Sequence, residues 1–412
     1  MIGGGSPPRR GAARGSRQAG AFRGINPPNS SMDASTIRSR ITGSLDGLLI
    51  GDALGCPVEM KTPAEIRARY GTLRTLEDTP RPWWRPAGLH SDDSQQAIAL
   101  CDALLEAPDA PAPVFARLLV EIYEAYDKGP GQHGGHRGTG KNFRVTVDRL
   151  IAAQGSDPFA GAQATAGNGV AMLAAPIAWR FPTEPARRRA ALLSVARVKT
   201  TDPRAAGAGA ALVEAVAYGL AYGTLRGIDP ARWIDATAKA EQEAAEQWGA
   251  DGPTTHAFSR ALTAMLARWP CERAEMLDAI AAVAGATSDR PVGPSAGYAL
   301  ASVVTALYLA MDAPTLERAL IDAVNLGDDA DTVGAMVGAV RGAADGADAV
   351  PKRWREGLWA KGAFNDRVEA LVEGAAARWS GGGGGWKPKE SLASSEGRWS
   401  RMAERARGAL GK

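Results

Sequence analysis

Aromatic side chains are scarce in this chain, with 7 Phe, 11 Trp and 7 Tyr among 412 residues. Alternating runs rich in Val, Ile and Thr are scarce as well, while Ala dominates many segments. Ala favours helix and β-branched alternation favours strand, so an all-α fold is expected. An excess of charge of either sign is also lacking: Lys and Arg number 48 against 45 Asp and Glu. That near-balance gives no electrostatic footprint for nucleic acid or an anionic membrane, and neither is expected as a partner. The longest apolar run, Ala299 to Met311, holds 13 residues, short of the roughly 20 needed to cross a bilayer. Cysteine is nearly absent. Cys56, Cys101 and Cys271 are odd in number and far apart, which fits neither a disulfide framework nor a Cys-based zinc site. The arginines at 9, 10, 14 and 17 are followed by no apolar stretch, so they do not read as a secretory signal. A cytoplasmic, reducing setting is expected.

What is present is unevenly spread. Residues 1–32 are rich in Gly, Pro, Ser and Arg and carry no apolar period, as a disordered tail would. From Ser380 the composition changes again, to a Gly-rich linker and then a basic, solvated tail over 380–412. The compact unit expected is 33–379, one all-α domain of about a dozen helices. Within it, Gly43, Gly47, Gly51 and Gly55 recur every four residues along one helical stripe. Glycine weakens helices, so such a stripe predicts another backbone packed close against it. Helical periods also start near Asp93 and Asp331, with Val333, Met336, Val337 and Val340 facing inward.

Two polar clusters precede those helical periods: Ser91-Asp92-Asp93-Ser94 and Asp328-Asp329-Ala330-Asp331-Thr332. Each could cap its helix, and Asp92 to Gln95 has capping-box spacing. One cap needs one oxygen, whereas these clusters hold five acids that repel unless protons or a cation neutralise them. Hard cations such as Mg2+ take oxygen ligands of this kind. Composition alone leaves a metal site and solvated caps as alternatives. Asp52 lies inside the apolar, Gly-striped helix and needs a partner there, while Glu59 follows its end. Gly167-Asn168-Gly169 is a turn signal opening a helix, whose backbone N–H groups could hold a phosphate.

The strings GLLIGDALGCPVE, SDDS, GNGVAMLAAPI and GDDADTVGA occur in the order seen in the ADP-ribosylglycohydrolase family, and the chain resembles that family from Ile41 to Ala344. The resemblance implies a compact all-α domain with a binuclear Mg2+ cleft, where Mn2+ can substitute. It places Ser91, Asp92 and Asp93 on one ligand motif and Asp329, Asp331 and Thr332 on the other. It matches Glu59 to a residue near the metals with a catalytic part, and Gly167, Asn168 and Gly169 to the segment contacting ADP-ribose. The implied activity is hydrolysis of the glycosidic bond joining ADP-ribose to a protein side chain or a small acceptor. Glu59, or an acid of the 92–93 pair such as Asp93, would move the proton. The implied partner is an ADP-ribosylated protein or an ADP-ribose conjugate.

The chain departs from the family pattern at four places. Ser91 stands for Thr, and Asp328 for Gly. The segment from Lys199 to Pro203 lacks a His, and the loop near residue 138 lacks the Asp of Asp-Ile-Gly. These departures admit another reading, a catalytically weak ADP-ribose-binding or transferase-blocking (immunity-type) protein of the same fold. The run from Gly135 to Asn142 nearly matches the phosphate loop GxxxxGK[ST], but Asn142 replaces the hydroxyl residue and a polar helical segment precedes it. It reads better as a loop beside the cleft. His133 and His136 read as a solvated or substrate-facing pair.

Overall fold

The computed structural model describes residues 33–127, 132–376 and 386–410. The tail expected over 1–32 and the Gly-rich stretch 377–385 lie outside the described residues. Seventeen α-helices, three one-turn 3-10 helices and one two-stranded hairpin make up the regular structure there. The first are α1 (Ala34–Gly55), α2 (Pro63–Tyr70), α3 (Asp92–Glu106) and α4 (Pro111–Glu124). The hairpin pairs β1 (Gln132–His133) with β2 (His136–Arg137), antiparallel. Then come α5 (Lys141–Ala153), α6 (Ala175–Arg180), α7 (Pro185–Lys199), α8 (Pro203–Tyr222), α9 (Pro230–Trp248), α10 (Ala257–Arg268) and α11 (Arg273–Gly285). The last are α12 (Ala299–Asp312), α13 (Leu316–Val324), α14 (Ala330–Asp345), α15 (Lys352–Gly357), α16 (Asn365–Ala376) and α17 (Leu392–Leu410). The count exceeds the expected dozen largely because one-turn and two-turn pieces such as α2, α6 and α15 lack a readable period.

The core is built on α1 against α14. Gly43, Gly47 and Gly51 face Gly342, Gly338 and Gly334 in antiparallel order, with Gly55 against Asp331. A Cβ built on Gly43 would fall 2.5 Å from the Gly342 carbonyl oxygen, so only glycine lets the two backbones meet. Each glycine costs an interior helix position about 0.5–1 kcal/mol relative to Ala. The contact must return more than that. It does so by burying Leu48, Ile50, Leu54, Val333, Val337 and Val340 on either side, each worth about 1.5–3 kcal/mol when removed from water.

Helix α8 is Ala- and Gly-rich and meets α6, α9, α12 and α14. By length and composition it could cross a membrane, but 78% of its apolar window is buried inside the fold. That is the position of a central core helix. Buried aromatic N–H groups find acceptors: Trp179 Nε1 donates to Ser44 Oγ at 2.9 Å, and Ser44 donates on to the Ala339 carbonyl at 2.7 Å. The buried Asp102 carboxylate receives both arms of Arg367 at 2.9 and 3.0 Å, joining α3 to α16.

The C-terminal segment differs from the solvated tail expected of it. Helix α17 packs on α4 and α3, burying Leu392, Glu396, Trp399 and Ala403. These positions are three or four apart, so they form one stripe along the helix.

Candidate active site

The glycine contact carries the acidic motifs to one place. It sets the C-terminal end of α1 beside the N-terminal end of α14, and the chain after α1 is tied there by main-chain bonds. Met60 N donates to the Asp328 carbonyl at 2.7 Å, and Asp328 N donates to the Lys61 carbonyl at 2.8 Å. Asp328 holds φ at 55°, a left-handed conformation that Asp tolerates better than most residues. Glycine, which the resemblance led one to expect there, would adopt that conformation without strain.

Asp52 meets its partner in α3. Its carboxylate accepts from Ser91 N at 2.9 and 3.1 Å, from Ser94 N at 3.0 Å and from Ser94 Oγ at 2.5 Å. One acid in α1 thus satisfies orphan N–H groups at the start of α3. Ser91 caps the same helix, accepting from Asp93 N at 3.2 Å. The α3 start is therefore held against α1 while Asp92 and Asp93 project from its first turn.

A cleft of about 310 Å³ opens in front of these residues. Glu59, Asp92, Asp93, Asp329, Asp331 and Thr332 line one part of it, and Gly167, Asn168 and Gly169 another. Asp92, Asp93 and Asp331 are at most 4% exposed, whereas the Glu59 side chain is 32% exposed. Burial pushes Asp92 up to about 7, with Lys199 opposing the rise. Burial, then the neighbouring carboxylates, push Asp93 and Asp331 well above the carboxylate range. Burial raises Glu59 too, against the pull of Arg85, whose guanidinium lies 3.8 Å away.

Asp93 Oδ1 is buried without a hydrogen-bond donor. A buried acceptor left so costs free energy unless a proton or cation meets it. Oxygen donors from acids and one hydroxyl suit a hard divalent cation, so the residues present fit a metal centre. A second grouping, Asp52, Cys56 and Asp331, brings one ligand atom each within 4.8 Å of the others. It is the poorer seat, because Asp52 is committed to its donors and burial keeps the Cys56 sulfur a thiol.

The Gly-Asn-Gly turn is tied to the acids by its side chain as well as its backbone. Asn168 Nδ2 donates to Asp329 Oδ2 at 2.5 Å and to Ser302 Oγ at 3.1 Å. Lys199 closes the wall between the turn and α3. Its ammonium donates to the Gly169 carbonyl at 2.6 Å and to Gln96 Oε1, and Gln96 Nε2 donates to Asp92 Oδ2 at 2.7 Å. Neither contact was visible in the sequence. The one local signal was the lack of a histidine in the segment from Lys199 to Pro203.

The structure therefore gathers Glu59, Asp92, Asp93, Asp329, Asp331, Thr332 and the 167–169 turn around one cleft. Ser91 lies behind them as a cap. Some readings need correction. Gln95 makes no capping box; its amide turns to the Gly135 carbonyl at 3.0 Å and to Glu396 at 2.8 Å. His136 is not solvated: burial holds it down to about 3, neutral, with Nε2 on the Leu119 carbonyl at 2.8 Å. His133 pairs with Asp148 at 3.0 Å. The near phosphate loop, 135–142, takes in the second strand of the hairpin and the start of α5, and its Gly138, Gly140, Lys141 and Asn142 border the cleft.

The ADP-ribosylglycohydrolase family model matches residues 33–383. ADP-ribosyl-dinitrogen reductase glycohydrolase of Rhodospirillum rubrum is 26% identical over 324 residues, 78% of this chain and 91% of that protein. ADP-ribosylhydrolase ARH3 of Homo sapiens is 26% identical over 342 residues, covering 77% and 88%. Among solved structures, an ADP-ribosylglycohydrolase-related protein complex superposes with a TM-score of 0.59 at 24% identity, over 83% of this chain and 99% of that one. At that identity the likeness shows the fold.

Proposed function

Since this chain belongs to the ADP-ribosylglycohydrolase family, we propose that it hydrolyses the glycosidic bond between ADP-ribose and a protein side chain or small acceptor. The observation that carries this reading is the meeting of five carboxylates from three distant segments in one cleft, beside the Gly167–Gly169 turn. Two Mg2+ ions are the proposed cofactors, with Mn2+ able to replace them. The residues that would hold them are Asp92, Asp93, Asp329, Asp331 and Thr332, with Ser91 behind. Charge supports the number. Counting Asp52, six acids face two buried cations, Arg85 and Lys199, which leaves four negative charges for two divalent ions to balance. Such ions act as a template and Lewis acid for the sugar hydroxyls and the attacking water.

The remaining work falls to the chain. The bond to C1 of the ribose breaks through an oxocarbenium-like transition state, so a carboxylate beside it lowers the barrier. Glu59 is the best placed for proton transfer. It is the most open of the acids with Asp92, Asp93 and Asp331, and burial and Arg85 pull its proton affinity in opposite directions. Asp93 is the second acid within the group. Asn168, fixed on Asp329 and Ser302, holds the turn that would carry the ADP-ribose. A reducing compartment is proposed for this chemistry, in keeping with three free thiols.

Incubation with ADP-ribosylated protein and Mg2+ tests the reading. Release of ADP-ribose, abolished by EDTA and restored by Mg2+ or Mn2+, is the expected result. Binding with no release from a panel of defined linkages would instead assign the chain to the non-hydrolytic binding class.

A further inference from the structure

Glu396 of α17 lies beyond residue 383, where the family match ends, yet its side chain is fully buried behind the cleft. Its Oε1 meets His90 Nε2 at 3.1 Å. Its Oε2 accepts from Arg137 Nη2 at 2.5 Å and from Gln95 Nε2 at 2.8 Å. Arg137 in turn donates through Nε to the His90 carbonyl at 3.0 Å and through Nη1 to Ser400 Oγ at 3.3 Å. Trp399, also on α17, stands edge-on to the His90 ring at 5.5 Å between centroids.

We infer that Glu396 is a positioning residue for the cleft, supplied by a helix outside the family's common domain. Two arms lead from it to the proposed chemistry. The first runs through His90 to the next residue, Ser91, whose hydroxyl donates to Asp93 Oδ2 at 3.1 Å. The second runs through Arg137 to the next residue, Gly138, on the cleft border. Gly138 is packed so closely on Arg85 that a Cβ there would fall 2.6 Å from Nη1, and Arg85 faces Glu59 at 3.8 Å. One carboxylate therefore sets the segments that carry both Asp93 and Glu59. Buried polar networks rigidify as their members are satisfied, and here α17 supplies the acceptor for Arg137, Gln95 and His90 Nε2, while His90 Nδ1 has no partner among the described residues. Glu396 touches no substrate and moves no proton; it acts through His90 and Arg137.

Three full-length proteins decide it: the parent, Glu396→Gln, and the double variant Arg137→Met with Glu396→Leu. Deleting one member of a buried ion pair is strongly destabilising, whereas replacing both by apolar side chains of similar size is close to neutral. A merely structural pair would thus be repaired in the double variant. The expected result is a double variant that melts within about 4 °C of the parent but exchanges the amide hydrogens of residues 90–94 and 137–141 about 10- to 100-fold faster. Exchange over α9–α11 stays as in the parent. ADP-ribose release falls by about 10- to 100-fold in both variants. A double variant with parental melting, parental exchange in those two segments and parental release overturns the inference. Should the double variant not fold, the folded Glu396→Gln protein decides by the same exchange readout. The release arm rests on the proposed activity; the exchange arm does not. Loosened segments in a parent that releases nothing would sink the proposed activity and leave the positioning role standing.

Discussion

Gly47 of α1 and Gly338 of α14 lie backbone on backbone, each occupying the space where the other would need a Cβ. This contact, repeated at Gly43–Gly342 and Gly51–Gly334, sets how far the α1 acids stand from those of α14. Gly47→Ala or Gly338→Ala should therefore lower stability by about 3 kcal/mol or more, measured by denaturant unfolding. Gly285, at the open end of α11 with nothing near its missing Cβ, is the control, and Gly285→Ala should stay within about 0.5 kcal/mol of the parent. Equal effects at Gly47 and Gly285 would contradict the packing argument.

Asp52 joins α1 to the start of α3 by charge-assisted bonds, and substitution by Asn keeps the shape while turning one acceptor into a donor. Asp52→Asn should cost about 2 kcal/mol. It should also reduce ADP-ribose release more than stability alone explains, because Asp92 and Asp93 sit on the helix it holds. Unfolding curves and release rates per folded molecule check this together.

Asp331→Ala and Asp93→Ala should abolish release while the fold is kept, as read by circular dichroism and turnover. Wild-type turnover in a purified double variant would remove both acids from the proposed centre.

The buried acids make metal-free stability depend on pH. Asp92 rises from 3.8 to about 7 on folding, so the folded state binds the extra proton, and stability falls as pH climbs through that window. In EDTA, the melting temperature should drop between those values. Mg2+ should restore it at neutral pH, since a cation takes over the proton's place. Glu241 also rises to about 7, through burial, but away from the cleft acids. Its share of the slope should survive Mg2+. A slope untouched by Mg2+ would leave Glu241 and Asp102, which burial raises to about 6, as its sources and count against a cation at Asp92.

Lys199 is the cation of the cleft wall, lowered to about 8 by burial against the pull of Asp92 and Asp93. ADP-ribose affinity should weaken as pH rises through about 8 in the parent. In Lys199→Gln it should be weaker by about 30-fold, corresponding to about 2 kcal/mol for a charged hydrogen bond, and flat across that range. Calorimetric titration with ADP-ribose reads both.

Much of this was legible in the sequence wherever the signal is local. The four-residue glycine spacing announced a close helix contact because spacing along one helix fixes a face. The paired acids announced a shared charge problem because neighbouring carboxylates repel wherever they stand. What stayed hidden depends on contacts across the chain. Lys199 acquires its role from residues 96 and 169, and Asn168 from residues 302 and 329. Glu396 stood in a stretch with enough arginine to read as solvated. The stripe Leu392, Glu396, Trp399 and Ala403 was the available sign, with an acid in the middle of an otherwise inward face.

The unequal access of the cleft acids gives the protein an internal reporter. A water-soluble carbodiimide must reach a carboxyl group before it can label it, and Glu59 offers itself first while Asp92, Asp93 and Asp331 lie almost sealed. Labelling at that single side chain, read by mass spectrometry, would register whatever fills the cleft without any knowledge of the bond being cut.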